Sequence, residues 1–183
     1  VDIRQMPLHE LRERIGYVPQ KGVLFSGTID SNIRYGKETA TEAEVQRAAE
    51  IAQAWDFIEE KEDGVQSAIA QGGTNVSGGQ KQRLSIARAT AKNPEIYIFD
   101  DSFSALDYKT DVVLRRALKK ETKDATTLIV AQRISTILHA DKILVLDEGH
   151  VVGQGTHKEL LKSCDVYRQI AMSQLSEEEL ADE

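Results

Sequence analysis

The segment from Asn75 to Gln82 reads NVSGGQKQ, and the segment from Ile96 to Asp101 reads IYIFDD. A polar residue and two glycines that open a basic helical stretch make a site for an anion. A helix start offers unpaired N–H groups and a partial positive charge, and glycine lets a phosphate approach the backbone. An apolar strand ending in two carboxylates makes a site for Mg²⁺, which prefers oxygen ligands and keeps several waters. Together the two segments spell nucleotide phosphate. The chain nevertheless contains no GxxxxGK[ST] stretch, the loop whose backbone and lysine cradle the β- and γ-phosphates of a nucleotide.

Other polar residues join them. Ser77 adds a hydroxyl donor beside Gly78, Gly79 and Gln80. Asp100 is expected at the carboxyl end of its strand, where ligands of open α/β sheets bind, and Asp101 is placed to face an attacking water. Pro19 stops the ladder of an earlier strand and leaves Gln20 on a loop. Gln132 follows a third apolar run, and residues 104–107 (SALD) form a loop and helix cap ending in Asp107. Polar residues converging on one sheet edge are more telling than any single member.

Elements must position these groups. Residues 15–18, 96–99, 128–131 and 143–146 are short, continuously apolar runs, the pattern of parallel strands covered on both faces. Helical periodicity lies between them. Leu84, Ala87 and Ala91 share one helix face in a segment ended by Asn93-Pro94, and Leu114, Ala117 and Leu118 share another. Alternating strands and helices give an α/β layered domain. The stretch 28–93 has helical patterns at 42–53 and 54–60 and no convincing strand, so it reads as a helical lobe inserted between the first two strands. Residues 148–150 read as a tight hairpin turn. Residues 156–161 and 165–172 read as closing helices, with Thr156 and Glu159 forming a capping box. The division is then residues 1–27, a first core segment; 28–93, the helical lobe; 94–175, the rest of the core; and 176–183, an acidic tail.

The 183 residues are 40% apolar, enough for one real core. The net charge of −7 argues against nucleic acid as a partner. No run approaches the roughly 18 apolar residues of a membrane span. The one cysteine, Cys164, excludes an internal disulfide and fits a reducing compartment. Val1-Asp2-Ile3-Arg4 reads as the middle of a longer chain.

In this order the motifs resemble the nucleotide-binding domain of an ABC transporter, of the exporter type, over nearly the whole chain. YVPQ, ending at Gln20, is similar to the Q-loop, and LFSGTI with Asn32-Ile33 to its exporter-type continuation. VSGGQ at residues 76–80 resembles the signature, IYIFDD the Walker B strand, SALD the D-loop and AQRIST at residues 131–136 the switch region. The resemblance implies a P-loop NTPase-like (RecA-like) α/β fold, a mainly parallel sheet with helices on both faces, from which the Walker A strand and an N-terminal β lobe are missing. It implies ATP and Mg²⁺ as cofactors and a head-to-tail pair of domains with ATP sandwiched between them. Ser77, Gly78, Gly79 and Gln80 would contact ATP held by the partner domain. Asp100 would serve this chain's own nucleotide and metal, with Gln20 near the metal, and Asp107 would sit at the dimer interface. A membrane domain would dock through the Q-loop and helical lobe, at the cytoplasmic face of the plasma membrane.

Three departures from the family pattern stand out. The Walker A loop is absent, which reads as a truncation, so this sequence alone is expected to bind ATP poorly and hydrolyse none. The family's catalytic Glu is Asp101 here, one methylene shorter, and a misplacement of about 1 Å can cost on the order of 10²-fold in rate. The switch position, His in most members, is Gln132, which cannot titrate. Both fall on the chain's own nucleotide, while the signature is intact apart from Val76 for Leu. That asymmetry resembles one subunit of a heterodimeric multidrug or lipid exporter with a degenerate site. The rivals are a soluble ABC-type ATPase and, for this sequence by itself, a non-catalytic interaction module.

Overall fold

The computed structural model describes residues 2–176. In chain order its elements are α1 (Leu8–Glu13), β1 (Ile15–Val18), β2 (Gly27–Thr28), α2 (Ile29–Arg34), α3 (Glu42–Ile51), α4 (Trp55–Glu59), β3 (Ala68–Ile69), α5 (Gly78–Lys92), β4 (Ile96–Asp100), α6 (Tyr108–Glu121) and β5 (Thr126–Val130). After these come α7 (Ile134–Ile137), β6 (Ile143–Asp147), β7 (His150–Gly155), α8 (His157–Ser163) and α9 (Asp165–Gln174). Two compact units result, one ending at Val130 and one beginning at Ala131.

Local chemistry starts the helices where they start. The Thr28, Thr41, Ser77 and Thr156 side chains accept from the third residue on, and that residue's side chain bonds back to the cap, completing a capping box each time. Asp107 caps α6 by accepting from the Thr110 amide. Asn93 ends α5 in the left-handed conformation, and Pro94 follows directly.

In the first unit three parallel strands run in the order β1–β4–β5, with Val18 opposite Phe99 and Phe99 opposite Ile129. The segment containing α2 to α5 is inserted between the neighbours β1 and β4. It also carries a two-residue ribbon, β2 against β3, that the sequence pattern does not reveal; strands this short have no periodicity to read. The core gathers Val18, Tyr97 and Phe99 from one sheet face with Leu84, Ile86 and Ala87 of α5 and Leu114 of α6. Arg88 fastens α5 to the segment after β1. Its guanidinium donates to the carbonyls of Asn32 and Val23 and to the Asn32 amide oxygen, each at 2.9 Å.

Continuous apolar character predicts cover on both sheet faces, and here the structure differs. Tyr17, Leu128 and Val130 are 54%, 50% and 55% exposed. They share the face opposite Val18 and Phe99, because side chains alternate along a strand. A hydrophobic run records that a face suits burial. It does not record which segment supplies the cover.

The second unit corrects another expectation. The run at 143–146 is not a parallel strand: β6 pairs antiparallel with β7 through a turn at Glu148-Gly149, both with positive φ. Ile143 and Val145 pack under α8 and α9 with Leu160, Tyr167 and Cys164, whereas Leu144 and Leu146 are exposed. A two-stranded hairpin can bury one face on its helices, so only alternate residues go inside.

Tyr97 sits at the core with its hydroxyl lacking a hydrogen-bond partner among the described residues, and burial, assisted by Glu121, pushes the phenol up to about 12. Tyr97→Phe removes an unsatisfied buried group, so stability in urea should be unchanged or higher, by no more than about 1 kcal/mol. The raised value means that the fold accepts the protonated phenol and resists the phenolate, so the stability linked to this proton is complete below the ordinary phenol range and is lost as pH rises to about 12. Unfolding at pH about 8 and about 11 should show a loss in the wild type that is smaller in Tyr97→Phe.

Candidate functional site

The carboxyl ends of β1 and β4 lie side by side, and four polar residues meet there. The Tyr17 hydroxyl donates to Asp100 Oδ2 at 3.1 Å. The Gln20 side-chain amide donates to Asp101 Oδ2, also at 3.1 Å. The hydrogen bond with Asp100 raises the Tyr17 phenol above its ordinary value, because losing its proton would set two anions together. Asp101 stands at φ +44°, in the left-handed region that Asp tolerates better than most residues. The strand breaks at this turn, and the carboxylate swings toward the β1 side.

Backbone and hydroxyl hydrogen bonds hold the turn. The Asp101 amide donates to Val130 O at 2.9 Å, keeping β5 in register one residue beyond the strand. Ser102, fully buried, donates its hydroxyl to Val18 O at 2.9 Å and lies 3.3 Å from Asp100 O. The Ser104 hydroxyl donates to Asp101 O at 2.9 Å. Sequence reading missed Tyr17 and Ser102. Tyr17 reads as strand filler, and Ser102 has no spacing that marks it.

The other half of the unit's polar chemistry is the start of α5. The Ser77 hydroxyl accepts from the Gln80 amide at 3.2 Å, and Gln80 Oε1 accepts from the Ser77 amide at 3.0 Å. The Gln80 side chain is therefore turned onto its own backbone. The amides of Gly78 and Gly79 precede the first intrahelical bond, Lys81 N–H to Ser77 O, and have no acceptor among the described residues. A Cβ added at Gly78 would meet nothing within 4 Å. The chain's own packing does not require glycine there, and the open backbone is a cradle that a side chain would fill. At Gly79 a Cβ would lie 3.6 Å from Ala105 O, so the helix start borders the 104–107 loop. In that loop Asp107 is held by Thr110 through its amide at 3.0 Å and its hydroxyl at 2.6 Å, which lowers the carboxyl below its usual value.

Gln132 lies in the second unit. Its carbonyl accepts from Gln174 Nε2 at 2.8 Å, while Gln174 Oε1 accepts from the Ile134 amide at 2.8 Å. Gln174, which sequence reading passed over, thus pins both sides of Arg133.

The donor set at the sheet edge suits Mg²⁺ in one mode. No group of three or more His, Cys, Asp or Glu side chains among the described residues could hold a metal alone. Two carboxylates and an amide oxygen match an ion that takes one or two carboxylates and completes its shell with waters and phosphate oxygens.

A protein-family model described as ABC transporter matches residues 1–104. An uncharacterized ABC transporter ATP-binding protein of Mycobacterium tuberculosis is 46% identical over 177 residues, covering 95% of this chain and 30% of its own length. A Staphylococcus aureus protein described as a multidrug export ATP-binding/permease protein is 46% identical over 169 residues, covering 92% and 29%. The solved structure of a bacterial Atm1-family ABC exporter with ATP bound superimposes with a TM-score of 0.88 at 41% identity, over 92% of this chain and 30% of that one. The chain spans less than a third of the length of these relatives.

Ser102→Ala deletes the buried bond between the ends of β4 and β1. Urea unfolding should show a loss of about 1–2 kcal/mol, and unchanged stability would mean that this bond does not hold the turn.

Proposed function

Because this chain belongs to the ABC transporter family, as an ATP-binding domain with the ABC-type P-loop NTPase fold, we propose that it couples ATP hydrolysis to export in a longer membrane protein. The carrying observation is the sheet-edge cluster, with Gln20 bonded to Asp101 at 3.1 Å and Asp100 beside them. Bound Mg²⁺ would neutralise charge on the transferring phosphate. Asp100 would hold the ion, oriented by the Tyr17 hydroxyl. Gln20 and Asp101 would place the attacking water in line, with Asp101 accepting its hydrogen bond. This is positioning and electrostatics, the main work in phosphoryl transfer. The short reach of Asp101, with Gln132 at the family's switch position, supports a degenerate site on this chain.

The Gly78 and Gly79 amides would serve a different nucleotide, held by a second ATP-binding domain in a head-to-tail pair, with Ser77 adding its hydroxyl. Intact signature and weakened own site favour a heterodimer. The membrane domain would dock where Phe25 and Tyr35 lie exposed, ring centroids 4.6 Å apart. The Arg88 guanidinium sits 5.1 and 5.4 Å from those rings and stiffens the patch. The multidrug export name of the Staphylococcus aureus relative favours a multidrug or related export substrate. Such an assembly would stand at the cytoplasmic face of the plasma membrane; among the described residues no helix is long and apolar enough to cross a membrane.

Two measurements test this reading. Titration of Mg-ATP onto the chain by itself should give a Kd above about 10 μM, since a tighter site needs roughly 7 kcal/mol without a GxxxxGK[ST] grip. In the complete transporter, Gly79→Asp should abolish most turnover, because its carboxylate would face the phosphate at the helix start. Near-wild-type ATPase in that variant would show that this helix start serves no active nucleotide.

A further inference from the structure

We propose that Gln82 is a positioning residue that ties the glycine-led start of α5 to the loop carrying Gln20, so that the two phosphate-facing elements of this chain shift together. The inference deepens the ATP-binding reading and rests on it.

Gln82 is 1% exposed, yet it carries an amide. Its Nε2 donates to Pro19 O at 3.0 Å. That oxygen belongs to the planar peptide unit joining Pro19 to Gln20. Fixing it fixes the direction in which the Gln20 backbone leaves, and Gln20 then reaches Asp101. At its other end Gln82 lies on the second turn of the helix that begins at Gly78. One side chain therefore links the helix that begins at the anion cradle to the loop that carries Gln20.

A second observation concerns the backbone. A Cβ at Gly22 would lie 2.8 Å from the carbonyl carbon and oxygen of Lys81 and 3.0 Å from the Gln82 amide nitrogen. The loop after Gln20 thus rides directly on the main chain of α5, at the same turn, where only glycine fits. The hydrogen bond and the close approach grip the loop on both sides of Gln20. A buried amide that only filled core space would be replaceable by an apolar side chain of equal volume, and this one spends its donor on the carbonyl next to Gln20. An anion pulling on the Gly78 and Gly79 amides would move Pro19 O through Gln82, and with it the contact between Gln20 and Asp101.

Gln82→Met keeps length and volume and loses the donor. In the complete transporter, with the partner domain's own nucleotide site inactivated so that this chain's weaker site sets the rate, it should lower the remaining kcat about tenfold while the KM for ATP changes less than about twofold, as a small misplacement of a water-orienting group does. In a Gln20→Ala background the same substitution should change kcat less than about twofold, because the tie acts through Gln20. Gln82→Glu should recover turnover as pH falls, since its carboxyl can donate to Pro19 O only when protonated. Hydrogen exchange on this chain gives a readout independent of ATPase. Gln82→Met should speed exchange in residues 19–25 about tenfold and leave α6 protected. Additive losses in the double variant, unchanged kcat, or exchange raised equally everywhere would overturn the proposal. A wild-type transporter that hydrolysed no ATP would instead overturn the ATPase reading, and exchange in residues 19–25 would still decide whether the tie exists.

Discussion

The turn at the end of β4 is the constraint on which the site depends. The chain must leave a buried strand at Asp100 and present the next carboxylate sideways, toward β1. It does so by placing Asp101 at φ +44°, a conformation with an energetic cost for any residue with a side chain. Ser102 and Val130 hold the backbone there, one through a buried hydroxyl on Val18 O and the other through a strand-type bond beyond the strand. Without those anchors Asp101 would have no reason to meet Gln20, and two adjacent carboxylates would be an ordinary solvated strand end.

The start of α5 works by a different principle. Nothing there is strained: Ser77 and Gln80 complete a capping box, and the helix runs on through buried Leu84, Ile86 and Ala87. Its openness depends on what the sequence withholds, since Gly78 leaves open a space that any Cβ would begin to fill. The long, well-anchored helix makes that open end a fixed feature. Arg88 locks its middle to the segment after β1, and Gln82 locks its second turn to the loop before it.

The exposed sheet face shows how hydrophobic patterning can be right about a surface and silent about its partner. Tyr17, Leu128 and Val130 have the character of buried residues and stand open, as do Leu144 and Leu146 on the hairpin of the second unit. In the hairpin the difference is topological. A run of four apolar residues is compatible with a parallel strand covered twice or with an antiparallel edge covered once, and periodicity over so few residues does not separate them.

The sequence by itself determined the family, the helix starts and most strands. Those features are local: capping boxes, the Asn93-Pro94 stop, and motifs whose chemistry is written in consecutive residues such as VSGGQ and IYIFDD. Convergence of Gln20 and Asp101 was legible in outline, because both follow apolar runs that end at one sheet edge. Tertiary structure alone decided the partners. That Gln20 bonds Asp101 and not Asp100, that Tyr17 holds Asp100, and that Gln82 reaches Pro19 across 63 residues of chain follow from register and packing. The neighbour of β1 is set by parallel pairing with a segment more than 80 residues away, and no local pattern encodes which side chains such pairing will bring within hydrogen-bond distance.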